Sequence, residues 1–141
     1  RVRVQFLVRK NIAEVPCITR NVRTGYLKVS TPEATAVDLI GYWHRAAGPE
    51  NVATVLKELD EVLHSNKLAQ VAALSPIAWA QRLGYQLEFM QKSSHTNRLA
   101  SYVSKHAKKV VPLSPWKSMR GAARDARWMV AVNETFEPDD V

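Results

Sequence analysis

Residues 29–39, Val29-Ser30-Thr31-Pro32-Glu33-Ala34-Thr35-Ala36-Val37-Asp38-Leu39, are where the periodicity of this chain changes. Before them apolar residues recur at every second position; after them they recur at every third or fourth. Thr31 can accept a hydrogen bond from a first helical turn opened by Pro32, where the missing N–H is no loss. Alternatively Ser30 is the cap and Glu33 closes a capping box. Ala34, Val37, Ile40 and Gly41 then share a helical face, flanked by Trp43 and His44. Asp38 has no part in starting the helix, so an ion pair or a hydrogen bond to a neighbouring element is expected of it.

Working back from this boundary, residues 1–9 read as a strand. Val2, Val4, Phe6 and Val8 fall on one face, and Arg1, Arg3 and Arg9 fall on the other with Gln5 and Leu7. That pattern predicts a buried apolar face and a basic, wet one. Residues 15–22 and 26–30 form a hairpin around Thr24-Gly25, with Cys17 as a half-buried, inert strand residue. Working forward, helices are expected near 32–46, 50–64, 76–91 and 95–107, with a short one at 67–74. Ser75-Pro76 repeats the cap-then-proline start, and Ser94 is a candidate cap for the last helix. Residues 110–127 read as an extended basic connection. Trp128, Val130 and Val132 suggest a late strand that joins residues 1–9 in one sheet, and residues 134–141 an acidic, partly frayed tail. The fold class is α+β, a small, mostly antiparallel or mixed sheet packed against about four to five helices.

The 141 residues are 46% hydrophobic, enough for one domain with a core that needs no metal or disulfide. Cys17 is the one cysteine, which suits a reducing, cytoplasmic setting. No apolar run is long enough to span a bilayer. A strand-like pattern begins at Arg1, from which residues 1–141 are expected to be one domain cut from a longer protein. The net charge of +7 is segregated: residues 1–28 carry +6, residues 29–91 carry −3, residues 92–128 carry +8 and residues 129–141 carry −4. Such a field favours a polyanion or an acidic protein partner.

The sequence offers little for catalysis. His44, His64, His95 and His106 make no i, i+4 pair, and there is no cysteine cluster, so no metal or cofactor is expected. Phosphate-cradling glycine loops and nucleophile elbows are absent as well. Glu33 and Asp38 are five apart on one helix and point in different directions. The expected functional surface is therefore cationic: Arg1, Arg3, Arg9, Lys105, Lys108, Lys109, Arg120, Arg124 and Arg127, converging on one face. Tyr102, Trp116 and Trp128 lie among these bases, as aromatics do in nucleic-acid grooves.

Three ordered stretches, together with the chain's ending, resemble one family. Ser30, Thr31, Pro32, Glu33, Thr35 and Asp38 sit as in the STPE-x-T-x-x-DL signature of AbiEi-type antitoxins. Asn51 to Leu63 is similar to the helix that follows it. Gln81, Arg82, Leu83 and Gly84 begin a stretch that resembles the family's QRLGYLLE helix, and Arg124 to Pro138 resembles its ending. The resemblance implies a type IV toxin-antitoxin or abortive-infection protein of bacteria. Its C-terminal domain would counteract a nucleotidyltransferase toxin of the AbiEii type. An N-terminal winged helix, missing from this stretch, would bind operator DNA and repress the operon. The signature contains no catalytic residue; its members read as a cap, a proline start and a helix–helix glycine. The alternative is a nucleic-acid-binding module whose two basic blocks contact DNA phosphates. An enzyme has no motif in its favour.

Overall fold

A computed structural model describes residues 2–46, 48–91 and 94–139, leaving out the side chains of Gln91 and Ser94. In chain order the elements are β1 (Cys17–Val22), β2 (Gly25–Ser30), α1 (Pro32–Gly41), α2 (Pro49–Leu59), α3 (Ser65–Ala72), α4 (Ile77–Gln91), α5 (Asn97–His106), β3 (Val111–Pro112), β4 (Ala123–Asp125) and β5 (Val130–Val132). This is an α+β fold.

Thr31 sets the boundary between hairpin and helix. Its Oγ1 accepts from the N–H of Ala34 at 3.2 Å, with Pro32 in the first turn. The Ser30 hydroxyl is instead paired with Thr35 Oγ1 at 2.7 Å, so Ser30 is not the cap. The helices expected at 32–46 and 50–64 both end early, in 3-10 turns at Trp43–Arg45 and Asp60–Val62. Gly48, at φ +100°, then turns the chain into Pro49. The last helix begins at Asn97; the expected capping side chain of Ser94 lies outside the described residues.

Two small sheets replace the single one expected. β1 and β2 form an antiparallel hairpin, with Gly25 at φ +142°. β5 lies between β3, its parallel neighbour, and β4, its antiparallel one. The basic connection at 110–127 thus supplies two strands, short ones that alternation could not reveal through Pro112 and Gly121.

Residues 2–9 form no strand, which corrects the sequence expectation. The alternation is present, but its sense is inverted. Gln5, Leu7 and Arg9 line a groove with Asp38, Leu39 and Tyr42 of α1, while Val2, Val4, Phe6 and Val8 face outward. The cause is Arg9, which donates to Asp38 Oδ1 (2.6 Å), Asn11 Oδ1 (2.8 Å), Ser75 Oγ (3.0 Å) and the Leu74 carbonyl (3.3 Å). Periodicity says which side chains share a face; a partly buried ion pair decides which face turns inward.

The core runs through all five helices and onto β3 and β5. Val37, Ile40, Val52, Leu56, Leu68, Leu83, Leu87, Leu99 and Val103 are wholly or almost wholly buried, and so are Trp128 and Phe136 near the C-terminus. Phe136 corrects the frayed tail: its carbonyl accepts from Gln86 Nε2 at 2.7 Å, and its ring meets Trp43 edge-on at 5.0 Å. Cys17 is exposed rather than half-buried, its thiol directed at the Val15 carbonyl.

Candidate functional site

The signature residues divide into two anchoring sets. In the first, Thr31 caps α1 and Asp38 holds Arg9, and through it the stretch that leads into residue 11. Burial raises the Asp38 carboxyl above its ordinary value, and the Arg9 charge opposes this. Glu33 is only 2% exposed, and its Oε2 has no hydrogen-bond partner among the described residues. It lies in the first turn of α1, where helix-terminal N–H groups favour negative charge.

In the second set, α4 is a rail for the C-terminal sheet. Gln81 Nε2 donates to the carbonyls of Lys109 (3.1 Å), Trp128 (3.3 Å) and Met129 (3.1 Å). Arg82 Nε donates to the Pro112 carbonyl at 2.8 Å. Leu83 points into the core. Gly84 lies against the Trp128 ring, where a Cβ would come within 2.0 Å of a ring carbon, so it is not the helix–helix glycine expected. Gly41 is nearer that role, because α1 rests there on Trp79 of α4. Glu88, which ends the stretch resembling QRLGYLLE but was given no role of its own, completes the rail. It accepts from Trp128 Nε1 (2.8 Å) and Arg127 Nε (2.9 Å). The signal was available: Gln81, Gly84 and Glu88 recur at three- and four-residue intervals, two polar residues either side of a glycine on one side of α4.

The nine expected cations have different surroundings. Arg1 lies outside the described residues. Arg9 is packed between α1 and the end of α3, and so leaves the expected surface. Arg3 is exposed in the extended N-terminal stretch, and Lys108 and Lys109 are exposed just after α5. Arg124 is exposed on β4, and Arg120 lines a separate hollow with Asn133 and Glu134. Lys105 and Arg127 do come together. With Asn97, Ser101 and Ser104 they line a groove of about 670 Å³ between α5 and the turn before Trp128. Its polar lining consists of two cations, two hydroxyls and one amide, with no carboxylate. Glu88, outside the lining, partly neutralises Arg127.

The aromatics among the bases are not a stacking platform. Trp128 is buried, and Tyr102 is half-buried beside His106. Trp116 is 62% exposed, but leans on His44 and Trp43. No group of three His, Cys, Asp or Glu among the described residues could hold a metal ion. No described helix is long and apolar enough to cross a membrane.

The site is thus a scaffold of anchored segments with a cationic groove on its surface. A family model described as the AbiEi antitoxin C-terminal domain matches residues 1–89. The chain belongs to this family. The match ends within α4, after the signature at Ser30–Asp38 and after Gln81–Glu88. In this AbiEi domain, therefore, part of the matched region holds residues that follow it: Gln81, Arg82, Gly84 and Glu88 all bind or pack on residues 109–129. No curated protein and no solved structure matches the chain.

Proposed function

We propose that this chain is the antitoxicity-bearing domain of an AbiEi-type protein and counteracts a nucleotidyltransferase toxin of the AbiEii type without catalysis of its own. The observation that carries the reading is the family match over residues 1–89. The signature residues agree with it, since they cap, clamp and pack, the work of a binding module. Residues 2–139 act as one folded unit, because the rail on α4 ties the region before residue 90 to the C-terminal sheet. In the intact protein an N-terminal winged helix represses the operon. The test is co-expression with the adjacent nucleotidyltransferase gene. Growth restored by this chain supports the reading; arrested growth in the presence of the folded chain overturns it.

A second reading, contact with DNA phosphates, is favoured by the groove of Lys105 and Arg127, with neutral donors and no carboxylate in its lining. Lys108 and Lys109 extend the positive potential beyond the end of α5. Each phosphate neutralised should add about 0.9 to the log–log salt slope of duplex binding. A slope near zero would remove this reading.

A further inference from the structure

Residues 2–8 are held on one side and bare on the other. Gln5 and Leu7 line the groove against α1, and Arg9 fixes the end of the stretch through Asp38, Ser75 and the Leu74 carbonyl. On the outer side Phe6 is 91% and Val8 is 97% exposed, with Val2 and Val4 beside them in the alternation. Among the described residues, no backbone hydrogen bond joins residues 2–8 to another element. An extended backbone with a free edge and alternate apolar side chains is a surface on which a further strand docks. The Arg9 clamp presents that surface in a fixed orientation on the body of the domain.

Charge and connectivity select the occupant. Arg3, Lys10, Arg20, Arg23 and Lys28 are exposed in residues 2–30, where Glu14 is the one acid. A second copy would bring the same positive charge and be repelled. Nucleic acid would satisfy the charges, but would leave the apolar side chains and the free edge without use. A separate protein would need enough affinity to hold the stripe unaided. The winged-helix domain proposed above to precede residue 1 needs far less, because the chain runs from it directly into the stripe. A short flexible tether keeps a domain at an effective concentration of about a millimolar, at which a contact of four apolar side chains suffices. A winged helix also carries a small β-sheet beside its helices, and so can offer a strand to the free edge. We propose that the outer face of residues 2–8 seats this domain of the same chain, so that the DNA-binding and antitoxin domains move as one body. This rests on the reading that a winged helix precedes residue 1.

The test uses the full-length protein. Amide exchange in residues 2–8 should be slower by on the order of tenfold or more than in the 141-residue chain, at every protein concentration. Phe6→Asp with Val8→Asp should restore fast exchange and let the two domains tumble separately in NMR relaxation. The same pair should leave the melting temperature of the 141-residue chain unchanged, since both side chains are exposed there. Phe6→Leu with Val8→Ile should keep the slow exchange and the joint tumbling. Fast exchange and separate tumbling in an unaltered full-length protein that binds its operator would overturn docking and leave the winged-helix reading standing. Slow exchange that sets in only as protein concentration rises would overturn it in favour of a second copy. Slow exchange that requires operator DNA or the nucleotidyltransferase would overturn it in favour of that partner. A full-length protein with no DNA-binding domain before residue 1 would remove the winged-helix reading and this inference with it.

Discussion

At the scale of single residues, two glycines face aromatic rings with different freedom to move. Gly84 meets Trp128, which is fully buried and hydrogen-bonded at its indole nitrogen. Gly84→Ala should therefore cost about 1–3 kcal/mol of stability, read by urea unfolding. Gly41→Ala meets Trp79, which is only half-buried and can yield, so a smaller loss is expected. Thr31→Ala should cost about 1 kcal/mol and Ser30→Ala less, because Thr31 holds the cap bond. Equal losses from the two would contradict this assignment. The cap was legible in the sequence as a choice between Ser30 and Thr31, and backbone geometry made the choice. The burial of Arg9 was not legible, because its partners at Asp38, Leu74 and Ser75 are distant in sequence.

Arg9 also makes a prediction about pH. The folded-state pKa of Asp38 is raised, so the protonated form is favoured in the native state relative to the unfolded chain. Its contribution is present below the ordinary carboxylate value and lost as pH rises through the folded value. Arg9 opposes this rise. Arg9→Met should thus make stability fall more steeply with rising pH just above the ordinary carboxylate range. Stability curves of the two proteins that run parallel there would show that the pair is not coupled.

At the scale of elements, α4 connects the two halves of the molecule. Gln81→Leu removes a side chain that serves three carbonyls, and should cost about 1–3 kcal/mol through buried groups left unpaired. The loss should be local. Hydrogen exchange is expected to speed up in β3 and β5 before it does so in α1 and α3. Uniform acceleration would mean that the rail is part of one cooperative unit with no weak seam. The helices were legible from their 3.6-residue stripes, and the hairpin from Gly25. The C-terminal sheet was only partly legible: β3 and β4 are two and three residues long, too short for alternation to register. Phe136 escaped for a similar reason, as a single apolar residue in an acidic tail carries no period.

At the scale of the whole molecule, charge segregation was legible but its geometry was not. Arg3 and the hairpin cations are exposed in the first thirty residues, and of the second basic block Lys105 and Arg127 share a polar groove. Lys105→Glu with Lys108→Glu and Lys109→Glu should therefore lower duplex affinity and flatten its salt dependence, while leaving toxin neutralisation intact. The central claim, that this chain itself carries antitoxicity, is tested most directly by growth rescue with that triple variant in cells expressing the adjacent nucleotidyltransferase. Rescue equal to that of the unaltered chain is expected; a folded triple variant and a folded unaltered chain that both leave growth arrested would contradict the claim.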